Sequence, residues 1–264
     1  MHLIWLAALS AASAIAQEGT PTDKWIQLFN GSDLEGWVPK ITGYALNDNF
    51  GGTFRVEDGI LKIGYEKYGD FGSRFGHLFY KHPYSHYRLA VEYRFVGTQA
   101  PGGPDWADRT SAIIIHGQAP NSMQKEQDFP ISLEVQLAGG LTAEERHTAN
   151  VCTPGTHIMM HGKLVTQQCT DSTSRTYRGE DWIRVEIEVQ GSDRITHYVE
   201  GRKVLSYEKP QIGGRGVSNF DPTIKKDGTP LGEGYLAIQS ASAPIEIRKI
   251  ELLVRPENHE PASE

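Results

Sequence analysis

The sequence predicts an all-β domain built as a sandwich or jelly roll. Short stretches of alternating apolar and polar residues recur along the 264-residue chain, and a period of two indicates strands with one buried face. Turn-forming segments rich in Gly separate these stretches. No long helical period is present, and the best helix candidate is the short segment from Thr142 to His147. Many short strands with such turns are typical of sandwiches and jelly rolls.

The predicted strands follow one another along the chain, and two pairs form hairpins. Residues 54–56 and 60–63 flank Glu57-Asp58-Gly59, and residues 196–200 and 203–207 flank Gly201-Arg202. Asp-Gly and Gly-containing turns favour tight hairpins. The remaining predicted strands are 87–95, 111–118, 131–137, 182–189, 236–239 and 245–254. Their apolar residues are expected to build one core.

The tryptophans divide by their sequence context. Trp25, Trp37 and Trp182 are expected to pack in the core, whereas Trp106 lies in a loop rich in Gly and Pro. An aromatic ring in such a loop is the better candidate for stacking on a ligand.

The composition limits the classes of partner. The net charge of -7 argues against nucleic acid or an anionic membrane as the main partner. No phosphate-binding loop or dinucleotide fingerprint occurs, so no nucleotide cofactor is expected. The sequence leaves the oligomeric state open.

The N-terminus has the pattern of a secretory signal peptide. Residues 3–15 are small and apolar, and Ala14-Ile15-Ala16 is an A-x-A cleavage pattern. We therefore expect a signal peptide at 1–16, a periplasmic or secreted protein, one domain at 24–255 and a C-terminal tail at 256–264. The apolar stretch is too short for a membrane span. A packed or disordered N-terminal arm is the alternative.

Two cysteines, Cys152 and Cys169, are the whole cysteine content. In an exported protein an even pair favours a disulfide, here inside an excursion from the core at 139–180. A reactive thiol or a metal ligand is the alternative. Two further long loops, 97–108 and 211–234, are rich in Gly; long loops on a β scaffold often carry function.

The strand at 131–137 is the main candidate for a binding face. Ile131, Leu133, Val135 and Leu137 share one face of this strand, and Ser132, Glu134 and Gln136 share the other. Glu134 and Gln136 are about 7 Å apart along the strand. A solvated outer face would explain the same pattern. Other polar side chains could converge with Glu134 if their strands belong to the same sheet: Glu92, Arg94, His116 and Gln118.

The number of carboxylates on this face limits the reactions that it could catalyse. A two-carboxylate glycosidase needs a second acid close to the first, and this strand supplies only Glu134; Glu92 or Asp128 would have to serve. The histidines show no tight metal-binding spacing. A metal site assembled from His116, Glu134 and Asp128 is the open alternative.

A set of motifs in chain order resembles the 3-keto-disaccharide hydrolase-like domain. The opening LFNG at 28–31 and LEGW at 34–37 match the start of that domain. Further matches are at 87–94, 111–117, 133–137, the Trp182 strand, 234–239 and 247–250. The resemblance covers about residues 25 to 254. The chain departs from the family pattern at Thr110, Ala112 and His116 and in its cysteine-bearing insertion.

The resemblance implies a concanavalin-like jelly roll of two antiparallel sheets, an exported bacterial protein and a glycoside oxidised to a ketone at sugar C3. The ketone makes the C2 proton acidic, so a base can start an elimination that is followed by addition of water. A divalent metal, with which the activity of the family is linked, could stabilise the enolate. On this basis Glu134 or His116 is the base or a metal ligand. Hydroxyl groups would be held by Gln136, Gln118, Arg94, Glu92 and Gln239, with Trp106 as the stacking ring.

Two other classes of function fit the same sequence. One is a non-catalytic, lectin-like carbohydrate-binding module, because a fold does not fix a function. The other is a structural or interaction domain, in which the polar strand faces would meet bulk water. The carbohydrate-binding module requires that the polar residues line one cavity, whereas the structural domain does not.

Overall fold

A computed structural model describes residues 24–256 as two antiparallel sheets packed face to face. The concanavalin-like jelly-roll sandwich is confirmed. The predicted signal peptide at 1–16 and all but the first residue of the predicted tail lie outside the described residues. Within 24–256, no helix has the length and apolar character required to cross a lipid bilayer.

The sheet that carries Glu134 has seven strands in the order β12-β9-β8-β7-β16-β5-β2. Their bounds are β2 Trp37–Ile41, β5 Gly76–Tyr84, β7 Thr110–Gly117, β8 Leu133–Ala138, β9 Asn150–Cys152, β12 Cys169–Thr170 and β16 Gly234–Ser240.

The other sheet has ten strands in the order β11-β10-β15-β14-β13-β6-β17-β4-β3, with β1 paired to β17. Their bounds are β1 Ile26–Gln27, β3 Phe54–Glu57, β4 Ile60–Ile63, β6 His86–Phe95, β10 Thr156–Met160, β11 Lys163–Val165, β13 Ile183–Gln190, β14 Arg194–Val199, β15 Arg202–Ile212 and β17 Ile245–Val254. Both predicted hairpins are present, as β3–β4 and β14–β15.

The main core lies between the sheets and follows the predicted alternation. Leu133, Val135 and Leu137 point into it from β8, so Glu134 and Gln136 occupy the opposite, outer face of the seven-stranded sheet. A second, smaller apolar cluster covers part of that outer face. It packs Met123, from the loop after β7, against Phe79, Ala112, Ile114 and Ala237. This loop covers one part of the face and leaves the part around Glu134 open.

Three expectations about local structure are wrong. The segment from Thr142 to His147 contains bends and no helix, because its one favourable N-cap residue has no apolar face to bury behind it. Trp182 is half-buried outside the core, with the guanidinium groups of Arg94 and Arg248 each 4.7 Å from its ring centre. Trp25 is also half-buried, beside Arg184; only Trp37 packs in the core as expected.

Candidate functional site

A cavity of about 410 Å³ opens on the outer face of the seven-stranded sheet. The strands supply the polar side chains of Glu134 and Gln136 on β8, Gln239 on β16 and Thr110 on β7. The loops around the sheet supply Trp106, Phe129, Pro154, Gln168 and Gly216, and the disulfide supplies Cys152 and Cys169. Among these lining residues Glu134 is the only carboxylate.

The pairing of β8, β7 and β16 brings Glu134 and Gln239 together. Gln136 lies opposite Ala112 on β7, and Ile238 on β16 lies opposite Ile113. This register places Gln239 beside Ala112 on the outer face. The short side chain of Ala112 lets Nε2 of Gln239 reach across β7 and donate a hydrogen bond of 2.7 Å to Oε1 of Glu134.

Burial dominates the protonation of Glu134. The side chain is only 9% exposed, and removal from water raises the pKa of its carboxyl to about 7. The hydrogen bond from Gln239 opposes this rise, and the negative charge of Asp128 adds to it. A carboxyl with such a pKa exchanges a proton readily near neutral pH.

Gln136 is oriented by its neighbour on β9. Nδ2 of Asn150 donates a hydrogen bond of 3.0 Å to Oε1 of Gln136, and Oδ1 of Asn150 in turn accepts one from the backbone of Ser172. Because its oxygen is held in this way, the amide nitrogen of Gln136 is the end free to donate to a ligand.

Trp106 forms one wall of the cavity and is 52% exposed. Its ring stacks on Phe75, with centres 5.7 Å apart and planes 16° apart. Arg146 holds the loop in place by donating to the backbone oxygens of Trp106 and Asp108. An aromatic face that is held on one side and open on the other suits a sugar ring.

His116 does not share this cavity. Its backbone has a φ of +49°, in the left-handed region, which breaks the alternation of β7 at its end. Nε2 therefore lies 3.0 Å from the carbonyl oxygen of Gly191, in the turn after β13 of the other sheet. Burial lowers the pKa of His116 to about 4, so this imidazole is neutral at pH 7.

The side chain of Gln118 stabilises the loop that follows β7 by hydrogen bonds. Its Oε1 accepts hydrogen bonds of 2.8 Å from Nε2 of Gln127 and from the backbone of Ile131. Both ends of its amide are engaged within residues 118–131, because Nε2 donates to Ser122. The structure therefore places Gln118 in the support of the cavity wall and outside its lining.

Glu92 and Arg94 are not brought together with Glu134, because β6 belongs to the ten-stranded sheet. On its outer face Glu92 pairs with Arg184 and Arg248, and Arg94 pairs with Glu246. The expected convergence with Glu134 required all these strands to lie in one sheet, and alternation alone could not assign strands to sheets.

The three candidate metal ligands do not form a coordination sphere. His116 points to Gly191, and Oδ1 of Asp128 accepts hydrogen bonds from the backbone of Phe129 and Ser218. Across residues 24–256, no group of three His, Cys, Asp or Glu side chains is arranged to hold a metal ion. The residues present therefore do not fit the metal that the resemblance implies.

His77 is a site neighbour that the sequence did not single out. It lies opposite Gln239 in the pairing of β5 with β16, its ring centre is 6.0 Å from that of Phe129, and it is fully buried. Neither ring nitrogen has a hydrogen-bond partner among the described residues. Burial and the nearby charge of Lys40 lower the pKa of His77 to about 3, so it is a neutral part of the packing behind the cavity.

The comparison with protein families gives a match over residues 24–253 to the 3-keto-alpha-glucoside-1,2-lyase-like domain. No curated protein matches the chain.

Solved structures with the same fold are distant in sequence. Two structures from Parabacteroides distasonis, each named a "putative glycosyl hydrolase", have TM-scores of 0.50 and 0.51 and identities of 16% and 17%. Each match covers 88% of this chain, with 100% and 94% of the other chains. The exoplasmic domain of VIP36, in a form bound to Ca²⁺ and Man3GlcNAc, has a TM-score of 0.50 at 10% identity, covering 91% of this chain and 92% of that one. At these identities the likeness concerns the fold.

Proposed function

This chain belongs to the family of the 3-keto-alpha-glucoside-1,2-lyase-like domain, and we propose that its cavity binds and cleaves 3-keto-glycosides. The membership makes it a carbohydrate-active domain of glycosyl-hydrolase-like type. One observation carries the finer proposal: among residues 24–256, Glu134 is the single carboxylate that lines the cavity, and its pKa is about 7. Hydrolysis by a pair of carboxylates needs a second acid there, whereas elimination next to a ketone needs one base.

In the proposed reaction Glu134 removes the proton at C2 of the sugar. The electron pair of the C–H bond forms an enolate whose charge lies on the C3 oxygen, and the free amide nitrogen of Gln136 is placed to donate to that oxygen. The enolate collapses to the ketone, a C1=C2 double bond forms, and the C1–O bond breaks. The departing oxygen takes a proton from water.

The hydroxide left by that water adds to C1, and the protonated Glu134 returns its proton to C2. The net result is consumption of one water and release of a 3-keto-sugar and an alcohol. Since Glu134 titrates near pH 7, it can act as the base and then as the acid in one cycle. No step is assigned to a metal, because the candidate ligands do not converge.

Export is part of the proposal. The apolar segment at 3–15 and the A-x-A pattern at 14–16 support a signal peptide, and the disulfide between Cys152 and Cys169 suits an oxidising compartment.

The test uses 3-keto-glucosides and their unoxidised parents, with and without chelator. We expect turnover of the keto compounds alone, and exchange of the C2 proton with deuterated water. Glu134→Gln should lose both turnover and exchange by about 100-fold or more, while Glu144→Gln, at an exposed carboxylate outside the cavity, should retain both. Unchanged turnover in Glu134→Gln would overturn the role of this residue. Binding of the parent sugars without turnover of any keto compound would favour the lectin-like alternative.

A further inference from the structure

A second cavity of about 360 Å³ borders the cavity around Glu134. Gln168 lines both. The wall residues alternate between the two: Pro154 and Gly216 face the first, and Thr153 and Arg215 face the second. The two cavities therefore lie on either side of the contact between the disulfide-bearing insertion and the loop after β15.

This contact depends on a close approach of backbone to side chain. Gly216 has a φ of +85°, and a Cβ there would meet Nε2 of Gln168 at 2.7 Å. On the other side of the second cavity, the loop packs on the ring of His157, which a Cβ at Gly213 would meet at 2.5 Å. Glycine at these positions lets the loop approach the insertion while both cavities stay open.

The second cavity differs from the first in charge. Its lining holds Arg215 and His157 and, within residues 24–256, contains no Asp or Glu, although the whole chain has a net charge of -7. Within the described part of the chain, Arg215 is exposed and forms no ion pair. A guanidinium that is not neutralised by the protein attracts an anionic ligand group.

The hydrogen-bond donors of the second cavity are few and identifiable. The hydroxyl groups of Thr153 and Thr156 already donate to the backbone oxygens of Gln168 and Ser132. The donors that remain are the guanidinium of Arg215 and the amide of Gln168. The imidazole of His157 also lines the cavity, and its buried Nδ1 has no partner among residues 24–256. This set matches the oxygens of a carboxylate or a sulfate better than a neutral sugar face.

We infer that the second cavity is a subsite for an anionic substituent on the group that leaves from C1. The inference rests on the proposed function, which places the 3-keto ring in the first cavity with Glu134. The substrate class becomes a 3-keto-glucoside whose leaving group carries a carboxylate or a sulfate ester, as a uronic acid or a sulfated sugar does.

The test compares three 3-keto-glucosides of the same linkage, with glucose, glucuronic acid or glucose 6-sulfate as the leaving group. We expect kcat/KM to favour the two acidic leaving groups over glucose by about 10-fold at low salt. Arg215→Gln should remove this preference, so that kcat/KM for the two acidic compounds falls to about the value for the neutral compound. Arg202→Gln, at an exposed arginine on the β14–β15 hairpin, should keep the preference. The two acidic compounds distinguish a carboxylate site from a sulfate site, and a preference for either that is lost in Arg215→Gln supports the inference.

Equal rates for the neutral and acidic compounds, or a preference that survives Arg215→Gln, would overturn the subsite. The proposed function can fail separately, as absence of turnover with all three compounds. In that case calorimetric titration with free glucuronic acid still tests the subsite. Binding by the wild type that is lost in Arg215→Gln supports the subsite. Absence of binding, or equal binding by the wild type and the variant, overturns it.

Discussion

Nε2 of Gln239 donates a hydrogen bond of 2.7 Å to the carboxyl group of Glu134, a residue 105 positions earlier in the chain. The bond crosses β7 above Ala112, and it is the interaction that opposes the effect of burial on this carboxyl. Glu134 is therefore tuned by two competing effects: removal from water raises its pKa, and the amide of Gln239 limits the rise. The balance near neutral pH depends on both.

Removing this hydrogen bond should move the activity profile along the pH axis. In the wild type kcat/KM is expected to rise with pH and level off above about 7, because the base acts in its ionised form. Gln239→Leu lacks the donor, so the pKa of Glu134 should rise further and the profile should shift to higher pH. Kinetics from pH 5 to pH 9 on one 3-keto-glucoside measure the shift.

The control for that experiment is Gln190→Leu, at an exposed glutamine on β13 in the other sheet. Its profile should coincide with that of the wild type. A Gln239→Leu profile that loses height at every pH and does not move would show that Gln239 acts on the substrate and not through the pKa of Glu134.

Trp106 should contribute to binding more than to chemistry. Its exposed ring is already held against Phe75, so a sugar can stack on it without ordering a mobile side chain. Trp106→Ala should raise KM by about 2- to 12-fold, as expected for an aromatic contact of about 0.5–1.5 kcal/mol, with kcat largely retained. Trp182→Ala removes a ring of the same size from the other sheet and should leave KM unchanged. A fall in kcat alone would contradict the stacking role.

Much of the fold could be predicted from the sequence because its physical signals are local. Alternation along 131–137 correctly separated the core face of β8 from the face of Glu134, and the Asp-Gly turn marked the β3–β4 hairpin. The assignment of strands to sheets is not local. Glu92 and Glu134 show the same pattern of alternation, and only long-range pairing places them on opposite outer faces of the sandwich.

In the candidate site, too, the sequence predicts what depends on local pattern and does not predict what depends on long-range packing. Glu134, Gln136, Gln239 and Trp106 line one cavity. Glu134 and Gln136 lie on β8, Gln239 lies on β16 beyond the intervening β7, and Trp106 lies in a long loop. The alternation along β7 predicts that His116 points to the same face as Glu134. Its left-handed backbone turns the side chain away from that face. Sequence spacing carries no information on such a local reversal. Gln168 was missed because its part in the lining depends on where the disulfide-bearing insertion folds.

Glu134 should lower stability at neutral pH. Its pKa in the folded protein is about 7, above the ordinary value of 4.5, so the folded state holds its proton more tightly than the unfolded state. The contribution to stability is complete below pH 4.5 and is lost as pH rises through 7, a change of about 3 kcal/mol. Glu134→Gln cannot ionise and should gain stability relative to the wild type as pH increases from 4.5 to 8.

Urea unfolding of the two proteins across this pH range gives the difference directly. Comparing the variant with the wild type cancels the opposite contributions of other groups, such as buried His197, whose pKa is lowered to about 4 by burial. A difference in unfolding free energy that does not change with pH would mean that Glu134 has an ordinary pKa. A gain in stability together with a loss of turnover is the pattern expected of an active-site residue.

The disulfide should stabilise the domain and shape the cavity together. Cys152 lies opposite Glu134 in the pairing of β8 with β9, and Cys169 pairs with it on β12. The crosslink closes a loop with a sequence separation of 17, for which the chain-entropy model gives about 3 kcal/mol. Replacing both cysteines by serine should lower Tm by about 6–12 °C in a domain of this size. It should also raise KM, because both residues line the cavity.

Treatment of the wild type with a thiol reductant should reproduce both effects and should not affect the serine variant. A variant with wild-type Tm and KM would show that the pairing of β9 with β12 holds the insertion without the covalent bond.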